Sequence, residues 1–166
     1  MNRTALIRCI LCFVALAGGL APPSPAGAAG CIVCICTVST TALSFGTYNP
    51  GNSTPTTATA TVNASCISVS VPMNATVDLS LSAGNSGNAA ARQMANGTAR
   101  LDYNIYQDSG YSTIWGNGSN GGQLQTMVIA NLLTFNASKT AYGRIPARSF
   151  PKPGAYTDSI VVTFTF

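Results

Sequence analysis

Apolar and polar residues alternate with a two-residue period along much of this chain. In Thr57–Cys66 every second residue is Ala, Val or Cys, and the residues between them are Thr, Asn or Ser. Ala75–Leu81 and Arg100–Gln107 repeat the alternation with larger apolar side chains. Because successive side chains of a strand point to opposite faces, each stretch is predicted to be a β-strand with one buried face.

The segment Ala155–Phe166 shows the same alternation, and its β-branched and aromatic residues favour a strand. Its apolar face is formed by Ile160, Val162, Phe164 and Phe166. No turn or charged tail follows these residues in the sequence. Because an apolar strand without a neighbour is prone to aggregate, we expect this strand to pair with a strand that another molecule supplies.

Weaker signals complete the prediction of secondary structure. Strands are also expected at Thr37–Tyr48 and Thr140–Ile145, whereas the apolar run Gln123–Phe135 fits either a strand or a helical turn. Turns rich in Gly, Pro and Asn separate these segments, and no convincing amphipathic helix is present. The pattern indicates an all-β fold, an antiparallel β-sandwich, with a closed eight-stranded barrel as the structural alternative.

Residues 1–29 are predicted to be a secretory signal peptide. Arg3 and Arg8 supply its positive region, Cys9–Ala21 supplies its apolar core, and the small residues at 26–29 supply a cleavage site. The apolar core is too short to span a bilayer, and we expect no stable membrane insertion. The sequence therefore predicts an exported protein with one mature domain at residues 30–166.

The composition argues against nucleic-acid binding and against common catalytic mechanisms. Without Arg3 and Arg8, six basic residues remain against four acidic ones, and this net charge of +2 is too weak for a nucleic-acid surface. The chain contains neither His nor Glu, so catalytic triads and the usual acid–base groups lack their side chains. We therefore predict a protein that is not an enzyme and needs no cofactor.

The acidic residues and the single Trp are the remaining candidates for chemistry. Asp78 and Asp102 fall on the polar faces of predicted strands, and Asp158 stands where a carboxylate can accept the N–H groups of a turn. Nothing in the sequence selects two of the aspartates as a glycosidase pair. Trp115 is either a sugar-stacking platform or a core residue, and a lone Trp favours the core.

Four cysteines remain after removal of the signal peptide: Cys31, Cys34, Cys36 and Cys66. In an exported domain they suggest disulfides, for which three pairings are possible. Cys66 is the only distant partner, and we predict a bond between Cys36 and Cys66, with the other two left over or paired locally. The alternative, a soft-metal site at Cys-x-x-Cys-x-Cys, lacks His and a second ligand pair, and we predict no metal site.

Several short motifs follow one another between Cys36 and Phe166. They are Cys36-Thr-Val, Leu43-Ser-Phe-Gly-Thr-Tyr48, Cys66, Leu79-Ser-Leu-Ser-Ala-Gly84, Arg92-Gln-Met94, Leu101-Asp-Tyr-Asn-Ile-Tyr106, Ile114-Trp-Gly116, Tyr142-Gly-Arg-Ile-Pro146 and Gly154-Ala-Tyr-Thr-Asp158. In this order they resemble the spore coat protein U domain, the subunit fold of archaic chaperone–usher pili. The resemblance covers nearly the whole mature chain.

The resemblance implies an immunoglobulin-like sandwich that lacks its final strand, with a hydrophobic groove beside the C-terminal strand. A periplasmic chaperone lends this groove a strand, and an outer-membrane usher exchanges it for the N-terminal extension of the next pilin subunit. By analogy, Ile160, Val162, Phe164 and Phe166 line one wall of the groove. Cys36 and Cys66 match the family's disulfide. The implied function is that of a structural subunit of a surface fimbria or a secreted coat.

One departure from the family concerns the N-terminal extension. Cleavage at Ala28 or Ala29 would leave about six or seven residues before Cys36, whereas a donor strand needs about ten. We therefore expect a tip or adhesin-like subunit, which accepts a donor strand without offering one. The alternative function is a self-contained exported carbohydrate-binding module that uses Trp115.

Overall fold

The computed structural model describes residues 34–68 and 73–165. The expected signal peptide, Cys31 and Phe166 lie outside these described residues. The described part contains no helix that is long and apolar enough to cross a membrane. Its strands are β1 (Cys34–Thr40), β2 (Thr56–Ser68), β3 (Met73–Leu81), β4 (Gln93–Asn96), β5 (Ala99–Asp102), β6 (Asn104–Tyr106), β7 (Gln125–Leu132), β8 (Thr134–Ile145) and β9 (Val162–Thr165), with short 3₁₀ helices at Gly84–Ser86 and Ala89–Ala91.

The strands form two packed antiparallel sheets and a separate hairpin. The first sheet has the order β1-β2-β8-β6, and the second has the order β7-β3-β9. The hairpin joins β4 to β5. Two open sheets, rather than one closed barrel, confirm the predicted β-sandwich.

Apart from β7, which pairs with the outer side of β3, the described strands follow the order of an immunoglobulin domain. In such domains the first, second, fifth and fourth strands form one sheet, and the third, sixth and seventh form the other. The sheet β1-β2-β8-β6 reproduces the first order, while β3 and β9 take the third and sixth positions. No described strand lies on the far side of β9, where the seventh strand would pair.

The inward faces of β2 and β3 supply much of the core. The buried apolar residues of β2 are ones that alternation selects, namely Ala60, Val62, Ala64 and Cys66, and those of β3 are Val77, Leu79 and Leu81. Their outward neighbours are mainly Thr, Ser and Asn. The burial patterns of these strands confirm that the two-residue period identified their inward faces.

A disulfide joins Cys36 of β1 to Cys66 of β2, and the two residues are directly opposite each other in the antiparallel ladder. The bond closes a sequence separation of 30 residues. In the chain-entropy model such a closure stabilises the fold by about 3–4 kcal/mol. The predicted pairing of Cys36 with Cys66 is therefore confirmed, and Cys36 is not available as a thiolate metal ligand.

The prediction of one strand over Thr37–Tyr48 is wrong beyond Thr40. After Thr41, which still exchanges hydrogen bonds with Thr61 of β2, the chain leaves the ladder and turns Leu43 and Phe45 across β8. These two side chains cover Gly143, where the absence of a Cβ allows them to approach the backbone. Packing across the sheet thus overrides the local preference of this segment for a strand.

Two further predicted strands differ from the sequence expectation, one ambiguous run forms strands, and one hairpin was not predicted. Arg100–Gln107 is divided at Tyr103, because β5 pairs with β4 while β6 pairs with β8. The closing strand pairs with β3 only from Val162 onward. The ambiguous run Gln123–Phe135 contributes β7 and the start of β8. The hairpin of β4 and β5 was not predicted, although Asn96-Gly97 is a strong turn signal between two extended segments.

Candidate functional site

A groove runs between residues 40–50, which follow β1, and residues 151–162, which precede and begin β9. It contains two pockets, which we together call the intersheet groove. The first, of about 330 Å³, is lined by Thr40, Thr41, Ala42, Leu43, Phe45, Ala60, Val62, Leu81, Met94, Tyr103, Ile105, Ala141, Asp158, Ser159, Ile160 and Val162. The second, of about 610 Å³, is lined by Leu43, Ser44, Phe45, Gly46, Thr47, Tyr48, Pro50, Met94, Leu101, Ile145, Pro151, Lys152, Pro153, Gly154, Ala155 and Tyr156.

The floor of the first pocket is apolar and includes small side chains. Ala60 of β2 and Ala141 of β8 are directly opposite each other in the first sheet, and Leu81 of β3 contributes from the second sheet. All three residues are buried. Because Ala60 and Ala141 have only methyl side chains, the floor leaves room for a larger apolar group.

Leu43 and Phe45 divide the first pocket from the second. A Cβ on Gly143 would lie 2.8 Å from Leu43 Cδ2 and 2.8 Å from Phe45 Cζ, so both side chains rest on the backbone of β8. Ala141 belongs to the first pocket and Ile145 to the second, on the same face of β8 and on either side of Gly143. The pockets are therefore four residues apart along β8, or about 13 Å.

The structure brings two of the predicted wall residues to the groove. Ile160 and Val162 line the first pocket and are partly exposed. Phe164 is opposite Leu79 of β3 and belongs to the core, where 8% of its surface is exposed. It lines neither pocket, and Phe166 lies outside the described residues. The proposed wall thus rests on Ile160 and Val162.

A polar pair closes one end of the first pocket. Tyr103 donates a hydrogen bond to Asp158 Oδ2 at 2.8 Å, and Asp158 Oδ1 accepts the N–H groups of Asn85 at 2.9 Å and Ser159 at 2.7 Å. Asp158 therefore accepts turn N–H groups, as its position before the last strand suggested. Burial, followed by the hydrogen bond to Asp158, raises the pKa of Tyr103.

Arg92 lies behind this polar pair and is completely buried. Its guanidinium donates to Ser82 O and Trp115 O at 2.7 Å each, to Asn104 Oδ1 at 3.0 Å and to Ala89 O at 3.4 Å. Burial lowers the pKa of Arg92, and the charge of nearby Asp158 counteracts part of that effect. Since these bonds connect several loops to β6, Arg92 organises the backbone around the first pocket.

Aromatic and proline residues border the second pocket. The Tyr48 hydroxyl donates to Pro146 O at 2.9 Å and accepts the Ser149 N–H at 2.8 Å. Tyr156 donates to Lys152 O at 2.6 Å. Through these hydrogen bonds, Tyr48 holds one side of the pocket to the loop at 146–149, and Tyr156 holds the other side to Lys152. The walls of the second pocket are therefore fixed by the fold.

Trp115 is a core residue. Its side chain is completely buried, and its indole N–H donates to Leu79 O at 3.0 Å. A buried ring has no free face on which a sugar can stack. The favoured interpretation of Trp115 is confirmed, and the carbohydrate-binding alternative loses the residue on which it depended.

The aspartates bind different groups on separate elements. Asp78 Oδ1 accepts the Thr126 hydroxyl, and Asp102 Oδ1 accepts the Gln93 amide. Asp108 accepts backbone N–H groups of its own loop. No group of three or more metal-ligating side chains occurs within residues 34–68 and 73–165. The aspartates thus serve as local hydrogen-bond acceptors in the described fold.

Sequence reasoning missed the residues that shape the groove most directly: Ala60 and Ala141 at its floor, Leu43 and Phe45 at its divider, and Tyr103 at its end. Two signals pointed to them. Gly143 interrupts the alternation of a strand, and such a glycine often marks the close approach of another segment. Ala60 and Ala141 are small residues at core-facing positions, where they leave space unless a neighbour fills it.

The sequence matches the family described as Spore Coat Protein U domain over residues 27–163. This chain belongs to the Spore Coat Protein U domain family. The match confirms the resemblance that the short motifs indicated.

The fold of this Spore Coat Protein U domain also occurs in a solved structure. The crystal structure of the CsuC-CsuE chaperone-tip adhesion subunit pre-assembly complex, from archaic chaperone-usher Csu pili of Acinetobacter baumannii, contains a chain with a TM-score of 0.55 and 22% sequence identity. The match covers 81% of this chain and 40% of that chain, so this chain spans about two fifths of its length. A search of curated protein sequences found no significant match.

Proposed function

We propose that this Spore Coat Protein U domain is a structural subunit of a surface fimbria or a secreted coat, assembled by the chaperone–usher route through strand donation. The observation that carries the proposal is the apolar intersheet groove, which is lined by residues of both sheets and by Ile160 and Val162 at the start of β9. Such a role requires a surface that accepts another chain and requires no catalytic residue.

The position of β9 supports strand addition. One edge of β9 pairs with β3, and no described strand pairs with the other edge. A donated strand would form main-chain hydrogen bonds along β9 on the side away from β3 and would turn alternate side chains into the groove. It would occupy the seventh position of the immunoglobulin-like order, which no described strand takes.

The two pockets predict the side-chain pattern of the donated strand. Strands of two packed sheets run within about 30° of each other, so a strand in the groove would run nearly along β8. Ala141 of β8 lines the first pocket, and Ile145, four residues later, lines the second. Residues i and i+4 of the donated strand would therefore place their side chains in the first and the second pocket. Residue i+2 would meet Leu43 and Phe45, which already fill the space above Gly143. We expect bulky apolar residues at i and i+4 and a small residue at i+2.

The proposed partners are a periplasmic chaperone, an outer-membrane usher and other pilin subunits. The subunit would receive its first strand from the chaperone in the periplasm and would exchange it at the usher for a strand of another subunit. Its location would then be the cell surface or the medium. The likeness in fold to a subunit in a chaperone complex and the membership of the family support these partners.

A synthetic strand tests this function. The full mature chain is refolded with a peptide that carries Leu at i and i+4 and Gly at i+2, and thermal melting is recorded. Ala141→Phe fills the first pocket from its floor, whereas Thr140→Phe places the same ring on the opposite face of β8. We expect the peptide to raise the Tm of the wild type and of Thr140→Phe but not of Ala141→Phe. Equal shifts in both variants would contradict strand binding in the groove.

We further propose that the subunit stands at the tip of its fibre or acts as an adhesin. The short segment Gly30–Ile35 that the expected cleavage leaves before Cys36 supports this position. Copies of the mature chain mixed without a chaperone should then form no strand-exchanged polymers, whereas copies with a grafted N-terminal donor strand should polymerise. Polymers formed by the unmodified chain would place it in the shaft of the fibre instead.

A further inference from the structure

Three tyrosines and an arginine gather on the face of the first sheet that points away from the intersheet groove. Tyr106 of β6 is directly opposite Tyr142 of β8. The rings of Tyr106 and Tyr111 meet edge to face with centroids 5.5 Å apart, and Arg144 Cζ lies 5.3 Å from the centroid of Tyr111. All four residues are partly exposed. We call them the tyrosine cluster.

The loop that carries Tyr111 is fixed by Asp108. The Asp108 carboxylate accepts the N–H groups of Ser112 at 3.1 Å and Thr113 at 2.8 Å, and Asp108 O accepts the N–H of Tyr111. The bonds from Thr113 and Ser112 lower the pKa of Asp108. Tyr111 has a φ of 57°, which a bulky residue adopts only when its surroundings impose it. The Tyr111 ring is therefore held in place before any partner binds.

The cluster has polar groups that the described fold does not use. Within residues 34–68 and 73–165, no acceptor bonds the guanidinium of Arg144, and the hydroxyls of the three tyrosines have no hydrogen-bond partner. Arg92, in contrast, has four acceptors around its guanidinium. The carboxylate of Asp108, in the same loop as Tyr111, is occupied by backbone N–H groups. An available cation thus stands among aromatic rings.

We propose that the tyrosine cluster binds a sugar that carries a carboxylate, such as a uronic or a sialic acid of a surface glycan. Tyrosine rings offer stacking surfaces, and their hydroxyls bond sugar hydroxyls. The planar guanidinium of Arg144 matches a carboxylate with two parallel hydrogen bonds. The charge of Arg144 selects acidic over neutral sugars. This site faces away from the groove, so the inference does not rest on the proposed strand donation.

Titration with defined saccharides tests this inference. The full mature chain is used in whichever form, free or strand-complemented, is monomeric. Trigalacturonic acid and sialyllactose represent the two acidic classes, and maltotriose and lactose are their neutral counterparts. We expect at least one acidic saccharide to bind about tenfold more tightly than its counterpart, the difference that a charge-assisted hydrogen bond contributes. Arg144→Gln should remove this preference, and Tyr111→Ala should weaken binding several-fold.

Arg148→Gln is the matched control, because it removes the same charge from an exposed loop residue outside the cluster. It should leave both the affinity and the preference for acidic sugars unchanged. The inference is overturned if neither acidic saccharide binds more tightly than its neutral counterpart. It is also overturned if Arg148→Gln lowers affinity as much as Arg144→Gln, because net charge rather than the cluster would then attract the ligand.

Discussion

Arg92 shows how a single residue can determine the surroundings of the groove. A fully buried guanidinium requires several acceptors, because an unpaired charge in the interior is strongly destabilising. Ser82 O, Ala89 O, Trp115 O and Asn104 Oδ1 meet this requirement. These acceptors lie on different elements, namely the segment after β3, a short 3₁₀ helix, β6 and the loop that carries Trp115, so Arg92 fixes their positions relative to one another.

Replacement of Arg92 by Met should therefore destabilise the fold severely. Met has a similar length but donates no hydrogen bond, and it leaves the buried acceptors without partners. We expect the free energy of unfolding to fall by about 3 kcal/mol or more in denaturant titrations. Arg100→Met is the control, because Arg100 is exposed and bonds only carbonyls of its own turn. Equal losses in the two variants would contradict the role given to Arg92.

Tyr103 predicts a pH dependence. Its pKa is raised in the folded protein, so the folded state holds the phenolic proton more tightly than the unfolded state does. The resulting stability is complete below about pH 10 and is lost as the pH rises further. Tyr103→Phe should cost about 1–2 kcal/mol at neutral pH and should lack this part of the alkaline loss. Urea unfolding between neutral and alkaline pH measures both effects, and identical pH profiles for the variant and the wild type would contradict them.

The roles of single residues could be predicted from the sequence where they depended on neighbouring residues or where few partners were possible. Cys66 was the only distant partner for the N-terminal cysteines, and Asp158 stood at the start of a strand, where turn N–H groups need an acceptor. The bond from Tyr103 to Asp158 was not predictable, because it joins residues 55 positions apart through the folding of the sandwich.

At the scale of elements, the segment after β1 has the greatest influence on the groove. It leaves the first sheet after Thr41, crosses β8 at Gly143 and divides the groove with Leu43 and Phe45. The segment can follow this path only because Gly143 of β8 has no side chain. The segment and Gly143 therefore shape the groove jointly.

Gly143→Ala tests this dependence. The new methyl group would lie under 3.0 Å from Leu43 and Phe45, so both side chains must move into the pockets beside them. We expect a loss of about 1–3 kcal/mol in the free energy of unfolding, together with weaker binding of a donor peptide. Ser138→Ala changes an outward position of β8 and should stay within about 0.5 kcal/mol of the wild type. An unchanged affinity for the peptide in Gly143→Ala would show that the divider does not shape the groove.

The sequence predicted correctly those continuous strands that bury one face. β2 and β3 are examples, because two-residue alternation directly reports burial on a pleated surface. The detachment of residues 41–48 and the division at Tyr103 depend on contacts across the sheets, which alternation does not record. The groove was therefore predictable only in outline, from the apolar face of the last strand and from the resemblance to a family.

At the scale of the whole molecule, the described strands form an immunoglobulin-like sandwich in which no described strand takes the seventh position. The first pocket lies between the two sheets and is lined by residues of both, including Val162 of β9. The disulfide between Cys36 and Cys66 stabilises the first sheet, whereas β9, beside which we propose that a donated strand adds, belongs to the second sheet. We therefore expect a domain whose stability depends on a strand that fills the groove.

The most direct measurement compares mature Gly30–Phe166 with the same chain carrying a donor strand grafted after Phe166. Both are produced in an oxidising compartment and examined by thermal melting and size-exclusion chromatography. An incomplete sandwich predicts that only the grafted form is monomeric and melts cooperatively at a distinctly higher temperature. An ungrafted chain that is monomeric and equally stable would show that the fold is self-contained, which would contradict assembly by strand donation.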